Sequence, residues 1–123
     1  MAFIFVGLGG ALGAMARYAI SLIPNKTGFP YLTLITNVLG AVLIGFIVGY
    51  TGSRKDIPSN TVLFWKTGVC GGFTTFSTFS LEAYQIFEKK SYGAAGLYSA
   101  LSLVLCLAGV WAGIRLSSFI KNG

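Results

Sequence analysis

Long apolar stretches alternate with short clusters of charge along this chain. Charged residues gather at Lys26, at Arg54 to Asp56, at Glu88 to Lys90 and at Arg115 to Lys121, and four apolar segments run between them. Each is roughly 20 residues long, the length an α-helix needs to cross the hydrocarbon core of a bilayer. The pattern predicts membrane-spanning helices over about 3–22, 31–51, 61–86 and 93–116. One run inside the third span breaks the pattern: Gly71-Gly72-Phe73-Thr74-Thr75-Phe76-Ser77-Thr78-Phe79-Ser80. Adjacent glycines weaken a helix by about 1 kcal/mol each relative to alanine. The hydroxyls of Thr74, Thr75, Ser77, Thr78 and Ser80 offer the backbone alternative hydrogen-bond partners. Lipid tolerates irregular backbone only where protein or a water-filled cavity surrounds it, so this run is the part of the chain expected to carry function.

Composition sharpens the membrane assignment. The 123 residues are 54% hydrophobic and only 10% charged, with mean hydropathy +0.76, whereas a soluble domain carries about 25% charged residues. The longest linker, Thr51 to Asn60, is short and polar, so the expectation is one all-α transmembrane domain of four helices over 1–123. No basic residue precedes the first apolar run, which therefore reads as a span rather than a cleaved leader. Net charge is +6, yet the basic residues are scattered over loops and helix ends rather than forming a stripe. That scatter suits lipid headgroups as the partner and not nucleic acid. Cys70 and Cys106 both fall in apolar spans without metal-ligand spacing and read as buried reduced thiols.

The distribution of charge between the two membrane faces is nearly even. With four spans, the termini share a side with the 51–60 loop, which collects Arg54, Lys55, Lys66, Arg115 and Lys121, while Arg17, Lys26, Lys89 and Lys90 lie opposite. Lys and Arg near span ends set orientation, and a score of five against four sets none. Such balance arises either from an orientation signal outside this count or from dual topology. In the second case oppositely inserted copies can pair about a two-fold axis in the membrane plane, a closed arrangement. Four short helices enclose little space, so a pore calls for a partner.

Individual motifs carry both packing and functional readings. In span one, Gly7-Leu8-Gly9-Gly10-Ala11-Leu12-Gly13 lacks the third glycine and the βαβ context of a dinucleotide-binding turn. It instead pairs Gly9 with Gly13 and Gly10 with Ala14 for close helix contact. Arg17, about one turn inside the end of that span, can snorkel to the interface or raise the local concentration of an anion at a pore mouth. In span two, Asn37 and Thr33 share a face. The Asn37 amide can join two helices or supply two N–H donors without formal charge.

The 71–80 run has two layers. An interruption at Gly71 and Gly72 would free carbonyls from Gly71 to Thr74 for a monovalent cation, with Thr74 or Thr75 capping the second half-helix. Beyond it, Phe73, Phe76 and Phe79 recur every third residue among hydroxyls, and positive ring edges together with hydroxyl donors can line a passage for an anion. In span four, Tyr98 and Ser102 lie on a face of small residues with Cys106, Gly109 and Gly113, fit either for tight packing or for extending a hydroxyl path. The chain has no histidine, and Glu82 is the only carboxylate within a span, so a proton relay has little to work with. No nucleophile is paired with a base, which argues against an enzyme. A four-helix drug exporter would carry a carboxylate deep in the first span, and none is present.

The Gly71 to Phe79 run, Asn37, and Gly9-Gly10-Ala11-Leu12-Gly13-Ala14-Met15-Ala16-Arg17-Tyr18 together closely resemble the CrcB/Fluc fluoride channels, over essentially the whole chain. The resemblance implies a dual-topology antiparallel homodimer in the bacterial cell membrane, with two fluoride pores and a structural sodium ion held by the broken third helices. It assigns sodium-binding carbonyls to Gly71 and Thr74 and pore aromatics to Phe76 and Phe79. Asn37 becomes a donor at the pore, with Ser77 and Thr78 on a hydroxyl-lined path. Tyr98 and Ser102 match the fourth-span polar positions more loosely, and Cys106 stands where family members can carry a hydroxyl.

Overall fold

The computed structural model describes residues 1–122, all of them in helices or short connections, with no strand. Helices α1 (Ala2–Ser21), α2 (Tyr31–Thr51) and α6 (Tyr92–Asn122) are continuous, and each is long and apolar enough to cross a membrane whole. The predicted third span is assembled from pieces. A first half runs through α3 (Ser59–Val62), a π-helical stretch (Leu63–Cys70) and α4 (Gly71–Phe73), and a second half is α5 (Phe76–Glu88). The fold is therefore the expected all-α membrane architecture with its third helix broken.

The break does not fall on the glycines. Gly71 keeps helical dihedrals of φ −63° and ψ −36°. The chain becomes extended only at Thr74 (φ −81°, ψ 157°) and Thr75 (φ −149°, ψ 114°). Low helix propensity at Gly71 and Gly72 is thus not what interrupts the rod, and Gly72 serves close packing instead. A Cβ there would run into the backbone carbonyl of Gly10 on α1.

Two seams of small residues hold the helices together. Along α1, a Cβ on Gly9 would strike the Phe64 carbonyl and one on Gly13 the Val69 carbonyl, so α1 lies directly on the first half of the broken helix. Between α2 and α6, Gly45 faces the Val110 carbonyl and Gly113 the Val42 carbonyl in the same way. Lipid tails are as apolar as leucine, so helices in a membrane associate by this kind of backbone approach and not by expelling water. The buried core is correspondingly small, with Leu34, Ala41, Ile47, Val69, Cys70, Ala95 and Tyr98 as its apolar members.

The connections position the ends. Between α1 and α2, Asn25 Nδ2 donates to the Phe29 carbonyl at 2.8 Å, and the Thr27 amide and hydroxyl both donate to Asn25 Oδ1. This turn, with Gly28 at φ +79°, sets the Phe29 ring edge-on to Tyr98 with centroids 5.5 Å apart. Helix α6 continues past 116, and Lys121 Nζ donates to the Gly49 carbonyl and to Ser53 Oγ at the C-terminal end of α2. A cation suits that end, because the helix dipole leaves its carbonyls partly negative. In the 51–58 loop, the Arg54 guanidinium pairs with Asp56 at 3.1 Å and holds that carboxyl below the usual range.

The seams predict opposite outcomes for two superficially similar substitutions. Gly13→Ala should lower stability by about 1–3 kcal/mol, because its methyl meets backbone that cannot step aside. Gly7→Ala meets nothing within 4 Å and should be neutral or stabilising by up to about 1 kcal/mol. Thermal unfolding of the two variants in detergent distinguishes them, and equal midpoints would refute the seam.

Candidate functional site

The site is built around the carboxamide of Asn37. Its Oδ1 accepts from the Thr75 amide at 2.8 Å and its Nδ2 donates to the Thr75 carbonyl at 3.1 Å, a two-point pairing across 38 positions of sequence. A carboxamide has the donor and acceptor of a peptide unit, so α2 offers Thr75 the partner that a neighbouring strand would offer. Thr75 accordingly adopts extended geometry. Its hydroxyl then accepts from the Thr78 amide at 3.0 Å and caps α5.

These bonds have a specific consequence for two carbonyls. In an unbroken helix the amide of residue i bonds the carbonyl of residue i−4, so the Thr75 amide would serve Gly71 and the Thr78 amide would serve Thr74. Asn37 takes the first amide and the Thr75 hydroxyl takes the second. Meanwhile the Thr74 amide and hydroxyl both return to the Cys70 carbonyl, at 3.0 and 2.9 Å, and close the end of the first half. The Gly71 and Thr74 carbonyls thereby join those of Gly72 and Phe73 as groups without intrahelical partners at the partly negative C-terminal end of a half-helix.

Hard, uncharged oxygen donors of this kind fit a monovalent cation such as sodium. Among the described residues no group of His, Cys, Asp and Glu is placed to hold a metal by side chains. Gly40 admits the arrangement, because a Cβ there would collide with the Thr74 methyl.

Beside the break lies a groove of about 470 Å³, lined among others by Asn37, Gly71, Thr74, Phe76, Phe79 and Ser102. The Phe76 and Phe79 rings stand 5.7 Å apart, and Phe76 is 79% exposed. Ser102 Oγ is buried without a hydrogen-bond partner. A buried hydroxyl with no partner is uncommon and calls for an explanation.

Tyr98, Thr33, Ser77, Thr78 and Arg17 stand outside the groove lining. Tyr98 is fully buried behind Phe79, with ring centroids 5.1 Å apart, and its hydroxyl donates to Glu82 Oε1 at 3.0 Å, next to Thr33. Ser77 and Thr78 gather around the Thr75 hydroxyl at 3.3 and 3.0 Å. Arg17 is half-buried at the break and donates from Nε to the Gly72 carbonyl at 3.1 Å. Cys70 and Cys106 both line the groove as free thiols, Cys70 buried and Cys106 partly exposed.

Four positions acquire importance only in three dimensions. Thr75 is the residue captured by Asn37, Gly40 makes room for Thr74, Phe29 covers Tyr98, and Glu82 accepts the hydrogen bond of the Tyr98 hydroxyl. For Thr75 a capping signal was visible in the sequence, and for Glu82 its isolation as the only carboxylate in a span. Gly40 and Phe29 carried no signal, because each matters through a partner distant along the chain.

A family model described as CrcB-like protein, Camphor Resistance (CrcB), matches residues 4–114, a stretch that includes the break and the groove. A protein named fluoride-specific ion channel FluC from Rhodopseudomonas palustris (strain BisB5) is 41% identical over 119 residues, covering 94% of this chain and 96% of the relative. One of the same name from Ruminiclostridium cellulolyticum is 43% identical over 122 residues, covering 95% and 92%. Another from Flavobacterium psychrophilum is 41% identical over 113 residues, covering 89% and 91%. With the broken-helix fold in place and similarity extending along nearly the whole length of both partners, this chain belongs to the CrcB family.

Proposed function

We propose that this chain is a fluoride-selective channel of the bacterial cell membrane that lets fluoride leave the cytoplasm passively. The observation that carries the reading is the partnerless hydroxyl of Ser102, buried in a groove beside Phe76 and Phe79. Fluoride holds its water tightly, and a passage must replace that water without trapping the ion. Neutral donors meet both demands. Ser102 supplies an O–H, the positive ring edges of Phe76 and Phe79 supply weaker stabilisation, and Asn37 retains a second N–H beyond the one given to Thr75. Thr33, Ser77 and Thr78 extend the polar surface on either side, and Tyr98 backs it from behind Phe79. The chemistry is transport and not catalysis: nothing in it makes or breaks a covalent bond. A negative cell interior drives an anion outward by about 2.3 kcal/mol per charge per 100 mV.

The working unit in this reading is an antiparallel homodimer in lipid. The groove is open along the side of a single chain, and the exposed apolar residues Phe76, Leu103 and Leu107 border it, a surface suited to a second copy. The even division of positive charge between the two faces favours opposite insertion of the copies. Each copy brings one groove, giving two pores. The Gly71 and Thr74 carbonyls of both copies would hold a sodium ion at the centre, supplying positive charge that the two half-helix ends lack. Two carbonyls from one chain make only part of a sodium shell, so this site also calls for the pair.

Purified protein in liposomes should release fluoride while retaining chloride; equal leakage of both ions, or no fluoride release, would end this reading. Phe79→Ile and Ser102→Ala should each assemble normally and reduce fluoride flux about tenfold, the effect of roughly 1.4 kcal/mol lost at the passage. Flux at the unsubstituted rate would return these residues to packing. Replacing sodium by a bulky organic cation on both sides should slow transport, and an identical rate would argue against the cation site.

A further inference from the structure

A helix end leaves its last four carbonyls without intrahelical partners. At the end of α4 these belong to Gly71, Gly72, Phe73 and Thr74. Gly72 alone among them accepts from a side-chain donor, Arg17 Nε, which reaches it from α1 across 55 positions of sequence. The approach follows from the packing seam. Gly9, Gly13 and Arg17 succeed one another at intervals of four on one face of α1. The same face that brings Gly9 and Gly13 onto backbone carries Arg17 to the break one turn later. A guanidinium at membrane depth is costly without a partner and characteristically finds a backbone carbonyl. A helix C-terminus in turn favours a cation.

We propose that Arg17 is a positioning residue that caps the broken third helix and confines the cation site at Gly71 and Thr74 by withholding the Gly72 carbonyl from it. The second half of this statement rests on the sodium reading given above; the first does not. A fixed positive charge beside the site also favours an occupant of low charge. Without Arg17, the Gly72 carbonyl becomes available as a further oxygen and the end of α4 loses its tie to α1. A looser site with more oxygens discriminates less between a small and a larger monovalent ion.

The test uses the full-length protein in detergent with Arg17→Gln and Arg17→Lys. Amide hydrogen exchange reads the cap at Thr74 and Thr75, whose N–H groups bond Cys70 and Asn37. Thermal midpoints across sodium and potassium titrations at constant ionic strength read the ion preference. In Arg17→Gln, exchange at Thr74 and Thr75 should rise about tenfold, as expected for loss of a charged cap, while the seam between α2 and α6 stays protected. The preference of the stabilising effect for sodium over potassium should narrow by a similar factor, with Arg17→Lys between the two. Unchanged exchange at the break overturns the cap. Raised exchange with an unchanged sodium preference overturns the confinement. If the unsubstituted protein shows no sodium dependence, the sodium reading itself fails, and exchange at the break still decides the cap. Should Arg17→Gln fail to fold, Arg17→Lys carries both comparisons, and wild-type behaviour in it overturns the proposal.

Discussion

The pairing of the Asn37 carboxamide with both backbone groups of Thr75 is the interaction on which the rest of the site depends. A helix inside a bilayer cannot simply stop, because each unpaired backbone group in hydrocarbon costs several kcal/mol. A break there needs substitutes, and Asn37 provides a donor and an acceptor in one planar group. Thr75 answers with its own hydroxyl, which starts the second half-helix. Between them these two side chains take the amides that would have served the Gly71 and Thr74 carbonyls. The site is thus created by diverting hydrogen bonds and not by adding charged ligands.

The diversion works only because the backbones lie very close. Gly40 leaves space for the Thr74 methyl, and the face of α1 carrying Gly9 and Gly13 seats that helix against the first half of the broken one. In the same packing, Gly72 and Arg17 find each other. Glycines that look like helix breakers are in this fold what allows helices to touch. The tight seam between α2 and α6 supplies the second rigid wall, and Ser102 lies along it on the groove side.

The arrangement also separates two kinds of chemistry within a few residues. Carbonyl oxygens at the end of α4 present partial negative charge, whereas hydroxyl hydrogens and ring edges along α5 and α6 present partial positive charge. These neutral groups can attract ions of opposite sign without the deep trapping that a formal charge alone would cause, and Lys66 adds a positive charge to the groove lining. Tyr98 and Glu82 stand just behind that surface, covered by Phe79 and Phe29. They connect α5, α6 and the turn after α1 into one support for the groove wall.

Hydropathy alone predicted four apolar segments bounded by charge, and three of them are single helices long and apolar enough to cross a membrane. The anomaly at residues 71–80 was equally legible, because hydroxyls and glycines at that depth conflict with a plain lipid-facing helix. Sequence bounded the break near Gly71 to Thr74 but did not give the residues at which the chain opens. Local propensity pointed to Gly71 and Gly72, yet both remain helical, and the chain opens at Thr74 and Thr75. The deciding partner is Asn37, far away in sequence, and a hydrogen bond formed by tertiary approach outweighs about 1 kcal/mol of intrinsic preference per glycine. The same reason applies to Arg17. Its depth in the first span was evident from the sequence, but only the packing of α1 on α4 decided that its guanidinium would meet the Gly72 carbonyl.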